Sequence, residues 1–268
     1  MFYTEDCLCW TKKKASRFKK MSILAGSLRM KLDMYYTEED NQNWSILYSK
    51  AMQALPEIAD EKVLQGIKTV GLPADHVPDF GAINKKLSTI SDWQIVPLEE
   101  MVEDHDFIGM LADKKYPCRK WLRSQEQIDS EENEYDLFHD LFGHTTLLYM
   151  PEYCNYLKAL GRLALKHINN KQALLFLKRI YWHTVQYGLV VSGNTLKIYG
   201  AHLLTSRSET LFAMSAGVPK YDFNIEVIMD TPYVKNRYQD RYFVINNFEQ
   251  LFNSMPAIEA ELSKRATS

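Results

Sequence analysis

The sequence predicts an α+β fold that is predominantly α-helical, with a few short strands. Three observations carry this: long stretches whose apolar residues recur at three- and four-residue spacing, strand-like runs of only four or five residues, and no internal repeat. At 268 residues and 46% hydrophobic content the chain can bury a large core. A formal net charge of -2 gives no global electrostatic argument for nucleic acid or a membrane, so the expected partner is a small molecule.

Taken in order, residues 1–35 carry Lys12, Lys13, Lys14, Arg17, Lys19, Lys20, Arg29 and Lys31 against few acids, and the apolar stretch Ile23–Leu28 is too short for a secretory signal. They are expected to form a basic, disordered N-terminal extension, with 36–268 as one domain. Thr37-Glu38-Glu39-Asp40 starts a helix that runs through Trp44, Leu47, Tyr48, Met52 and Leu55. A second helix is expected from Pro56 to Gly71, which Pro73 follows. Ile83, Leu87 and Ile90 mark a short helix, Trp93–Pro97 a strand, and Phe107–Leu111 another helix.

The stretch 116–134, charged and holding Pro117, reads mostly as loop, and loops of that length tend to be functional. Long helical patterns cover about 151–168 and 171–191. Gly193-Asn194 reads as a turn and 196–199 as a strand. Ser206 and Glu209 fit a capping box, and 242–245 is a last strand before a helical C-terminus. No run of about 18 apolar residues exists to span a membrane. The four cysteines, at 7, 9, 118 and 154, have neither zinc-ribbon spacing nor the number for a secreted disulfide framework, which points to a reducing cytoplasm.

The chemistry concentrates at 134–146, where His139 and His144 flank an apolar turn with Asp136 and Asp140 beside them. Five residues of straight α-helix would leave the imidazoles about 140° apart. Gly143 as a helix terminator would let His144 swing back. Spacing alone leaves open a metal pair or two ordinary histidines.

Asp136-Leu137-Phe138-His139-Asp140-Leu141-Phe142-Gly143-His144 resembles the D-I-F-H-E-x-F-G-H iron motif of the tetrahydropterin-dependent aromatic amino acid hydroxylases. Tyr181–Leu189 is similar to that family's Y-W-F-T-V-E-F-G-L, and Ile198–Ser206 to its I-Y-G-A-G-L-L-S-S. Gly71-Leu72-Pro73, Trp93–Pro97, Phe107–Ala112 and Arg123 follow the family order, over roughly 36–255, and the likeness points to the short bacterial phenylalanine hydroxylases.

The resemblance implies the hydroxylase catalytic-domain fold, Fe(II) and a tetrahydropterin as cofactors, and O2 and a free aromatic amino acid as substrates, phenylalanine to tyrosine by default. It implies His139, His144 and Gln186 as metal ligands, Met101, Val102, Phe107 and Asp140 at the pterin, and Tyr181 with Asp140 in the catalytic machinery. Arg123, Trp182, Thr205, Ser206 and Glu209 are implied at the amino acid, Arg123 through a bidentate hold on its carboxylate. A cytoplasmic monomer or small homo-oligomer is expected.

Several positions depart from the family pattern. Gln186 stands where the family has a glutamate, and a neutral amide should bind iron more weakly than a carboxylate. Asp140 or Glu209 could compensate. The alternative to a hydroxylase is a repurposed, non-hydroxylating member that binds an amino acid or pterin. Glu100 replaces a glycine near the pterin. Tyr135 replaces a proline bordering the ring site, His202 a glycine and His183 an aromatic residue, and these three bear on which amino acid is accepted. The chain is one residue longer than the family between Arg123 and His139, so no further carboxylate contact is placed there.

Overall fold

The computed structural model describes residues 36–100, 102–130, 135–235 and 237–266. The expected extension over 1–35 and the pterin candidate Met101 lie outside them. Thr37 and Asp40 cap α1 (Glu38–Ile58) reciprocally, as their spacing predicts. Pro56 sits inside the last turn of α1, and the next helix, α2 (Glu61–Val70), starts only after Asp60 has capped it. This corrects the expected start at Pro56, because the Asp60 carboxylate satisfies the free amide of Lys62.

Next come α3 (Phe80–Ser88), β1 (Gln94–Leu98), α4 (Asp104–Ala112), β2 (Lys115–Arg119) and α5 (Gln125–Asp129). The described part of the stretch 116–134, residues 116–130, is therefore more ordered than its charge predicts. Its first residues pair in parallel with β1, and Ser124 forms a capping box with Gln127 to open α5. A π-helical turn spans His139–Gly143.

Two long helices follow, α6 (Pro151–Lys166) and α7 (Lys171–Tyr181). The expected helix to 191 is corrected: α7 stops at Tyr181, a second π-turn covers Trp182–Gln186, and β3 (Leu189–Ser192) begins a hairpin with β4 (Thr195–Ile198). Gly193 takes φ +61° in that hairpin's turn, a conformation that costs glycine little. The chain ends in α8 (Ala201–Thr205), α9 (Arg207–Met214), β5 (Lys220–Asp222), α10 (Ile225–Asp230), β6 (Tyr242–Ile245), α11 (Phe248–Phe252) and α12 (Met255–Ala266).

The sheet order is β4-β3-β6-β5, with β4 antiparallel to β3 and the other pairs parallel. Helices outweigh strands, in keeping with the predicted class. One buried cluster runs from Trp44 through Leu141, Phe142, Ile180 and Val185 to Leu262. Both π-turns are sunk in it, which fixes their side chains from all sides.

Candidate metal centre and its two clefts

A π-turn closes its bonds from i to i+5, so residues five apart stack on one face instead of diverging as they do in an α-helix. His139 and His144 are spaced in just that way, and their Nε2 atoms lie 3.2 Å apart. The second π-turn, whose Tyr187 amide donates to the Trp182 carbonyl at 3.1 Å, brings the Gln186 amide to 3.2 Å from His144 Nε2. All three side chains are buried. Gly143 does not end a helix, as the sequence reading has it: a Cβ there would stand 2.7 Å from the Ala201 carbonyl oxygen, so its role is to let α8 press against the turn.

The protonation of His139 follows from its neighbours. The Thr205 hydroxyl donates to the Ala201 carbonyl one turn back in α8, so it accepts from His139, and Nδ1 carries the proton at 3.0 Å. Burial pushes both histidines well below the usual imidazole range, so each is neutral. His139 Nε2 is thus a lone pair aimed at the middle of the site.

Two ring nitrogens on one divalent ion sit about 3.0–3.4 Å apart when each bond is about 2.1 Å and the angle near 90–110°. The observed spacing matches this. Gln186 Oε1 is buried without a hydrogen-bond partner, and exchanging the two ends of the amide turns that oxygen toward the imidazoles. The donor set therefore fits a divalent ion held by two imidazoles and an amide oxygen.

The possible compensating carboxylates are otherwise occupied. Asp140 has an oxygen within 4.8 Å of a ring nitrogen on each histidine, but it accepts from the Arg119 Nη1 at 2.8 and 2.9 Å and from the Arg119 amide at 2.8 Å. Burial raises its carboxyl to about 7 even against that guanidinium. Glu209 is buried, with Oε1 accepting from Tyr242 Oη and the Gln239 amide at 2.8 and 3.0 Å and Oε2 standing 3.1 Å from His202 Nε2. Ser206 does cap α9, but Glu209 does not complete a capping box, since its carboxylate is drawn into this buried network.

Two clefts divide the remaining candidates. Val102, Phe107, Asp140, Tyr181, Trp182, His139 and Gln186 line a cavity of about 230 Å³. In its wall Tyr116 and Tyr181 join hydroxyls at 2.9 Å and Phe107 meets both rings edge-on. Arg123, Thr205 and Ser206 line a second cleft of about 120 Å³. Glu209 lies in neither.

Arg123 is buried and grips Asp136, Nε to Oδ2 at 2.8 Å and Nη2 to Oδ1 at 2.9 Å, while Asp136 Oδ1 also accepts the His139 amide at 3.0 Å. It thereby anchors the start of the histidine turn. Sequence reasoning missed Arg119, which it read as part of a basic loop, and Tyr116, which stacks on the His144 ring at 4.5 Å. The available signal was the strand Lys115–Arg119 hidden in that charged stretch.

A family model described as "Biopterin-dependent aromatic amino acid hydroxylase" matches residues 12–267. Phenylalanine-4-hydroxylase of Chromobacterium violaceum is 37% identical over 220 residues, covering 82% of this chain and 73% of that protein. Phenylalanine-4-hydroxylase of Ralstonia nicotianae is 38% identical over 220 residues, covering 82% and 70%. The crystal structure of the C. violaceum phenylalanine hydroxylase bound to cobalt superposes with a TM-score of 0.80 at 36% identity, over 85% of this chain and 83% of that one.

Proposed function

The chain belongs to the biopterin-dependent aromatic amino acid hydroxylases, and from that premise we propose that it hydroxylates the ring of free phenylalanine to give tyrosine, with O2 and a reduced tetrahydropterin, at an iron(II) held by His139, His144 and Gln186. The observation that carries this reading is the convergence of the two Nε2 atoms at 3.2 Å under an aromatic-lined cavity. Relatives named phenylalanine-4-hydroxylase support the substrate.

Iron(II) and the reduced pterin supply the electrons that activate O2. The protein's own groups bind, orient and exclude water. Thr205 holds His139 in the tautomer that offers Nε2. Phe107, with Val102 and Tyr181 beside it, presents a flat apolar wall for the pterin, and Asp140, set by Arg119, offers its carboxylate at the same wall. Trp182 faces the amino acid ring, while Arg123 and Thr205, from the separate cleft they line with Ser206, hold the histidine turn in place, Arg123 through Asp136 and Thr205 through His139. Glu209 acts from behind, through His202.

The free cysteines Cys118 and Cys154 are buried, and no helix among the described residues is long and apolar enough to cross a membrane. The proposed setting is a cytoplasmic monomer or small homo-oligomer that does not act on nucleic acid.

The test compares bound iron and tyrosine formed from phenylalanine with a reduced pterin, in the wild type and in Gln186→Glu. The wild type should bind iron and turn over. Gln186→Glu, adding a negative charge to the donor set, should bind iron about tenfold more tightly or better, about 1.4 kcal/mol. A wild type with neither iron nor product, rescued by Gln186→Glu, would favour the non-hydroxylating alternative. Unchanged iron binding in His139→Ala would refute the ligand assignment.

A further inference from the structure

The ring that is to be oxidised has to lie beside the metal, against the exposed edge of its ligands. That place is already filled by a ring of the protein. Tyr135 meets His139 edge-on with centroids 4.8 Å apart and planes at 82°. It lies 5.0 Å from the His202 ring and 5.9 Å from Trp182, and its hydroxyl joins that of Tyr187 at 3.0 Å. The Tyr187 ring in turn stands 4.9 Å from His202. Four rings thus surround one phenol in the way a binding slot surrounds an aromatic side chain.

The space left over is small. At about 230 Å³ the cavity shared by Tyr135, His139 and Gln186 falls below the ~300 Å³ at the low end for a single small-molecule site. Tyr135 lines the same cavity as His139, Gln186 and the Phe107 wall, so an amino acid ring placed against His139 there meets the Tyr135 ring. The next residue, Asp136, is pinned by Arg123 and by the His139 amide, so the backbone at Tyr135 is anchored and clearance comes from rotation of its side chain.

We propose that Tyr135 is an intramolecular occupant of the aromatic-substrate slot, latched by Tyr187, and that its displacement sets the affinity and the ring size of the amino acid accepted. The proposal rests on the functional reading above for the identity of the displaced ligand. An occupied slot lowers apparent affinity by the fraction of molecules in which it is open. A tethered ring competes at high effective concentration, so the closed form prevails in the free protein.

The test is calorimetric titration with L-phenylalanine and L-tryptophan, on iron-free and iron-loaded protein. Tyr135→Ala empties the slot and should bind phenylalanine about tenfold more tightly than the wild type, with a larger gain for tryptophan. Tyr135→Phe and Tyr187→Phe each remove only the latch. They should give equal, smaller gains, with no further gain when combined. Equal, weaker or undetectable phenylalanine binding in Tyr135→Ala overturns the proposal. If that variant does not fold, absence of a gain in both phenylalanine variants does so. Turnover by the wild type judges the functional reading separately, since the affinity ratio needs no reaction.

Discussion

Thr205 shows how one hydroxyl determines what a histidine can do. Its proton is committed to the Ala201 carbonyl, so it can only accept from His139, and the imidazole must offer Nε2 to the centre. Loss of such an outer partner costs about 10–100-fold in metal affinity. Thr205→Ala should lower iron affinity within that range in a chelator competition, and Thr205→Ser should restore most of it. Gln186 acts at the same scale. Its amide keeps the size of a glutamate and removes the charge, so in the proposed ligand role it would act through geometry more than through electrostatics. Its position was legible from the Tyr181–Leu189 motif, but its buried, unpartnered Oε1 was not, because that depends on neighbours distant in sequence.

Two π-turns, one on each side of the centre, are the elements that assemble it. The spacing of His139 and His144 was visible in the sequence, yet α-helical geometry sends them apart, and nothing in the apolar period distinguishes a π-turn from an α-turn. The same blindness carried the expected helix ten residues past the end of α7 at Tyr181 and placed a helix end at Gly143. Gly143 instead marks the contact with α8, where an added methyl meets the Ala201 carbonyl oxygen at 2.7 Å. Gly143→Ala should cost about 1–3 kcal/mol through overpacking. Thermal unfolding should register a midpoint several degrees lower, together with weaker iron binding as α8 is pushed off the turn. The strand Lys115–Arg119 escaped notice for a different reason: its partner β1 is seventeen or more residues upstream, and its charged ends mask a buried middle.

At the scale of the whole molecule, folding buries imidazoles that must stay neutral. His183, on the second π-turn, shows the consequence apart from the metal centre. Burial lowers it from 6.5 to about 4, with Nε2 facing the Thr231 carbonyl at 3.1 Å and its ring edge-on to Phe243. A lowered histidine favours the folded state fully above its unfolded value, and that contribution is lost as pH falls from about 6.5 towards 4. The full loss is about 3 kcal/mol. Urea denaturation at pH 7 and at pH 4.5 should therefore show a smaller stability difference for His183→Phe than for the wild type. An unchanged difference would mean that other groups dominate the acid limb.

The sequence by itself determined the helical class, the paired histidines, the neutral Gln186 where the family motif has a glutamate and, through ordered motifs, the family. These are carried by local period and by residue identity at fixed spacing, which a linear chain displays directly. Only the tertiary structure decided that Arg119 claims Asp140, that Arg123 and Thr205 line a cleft apart from the one at His139 and Trp182, and that the Tyr135 ring stands edge-on to His139. Each of these is a choice among partners far apart along the chain, and burial in a close-packed interior, which no local pattern encodes, makes that choice.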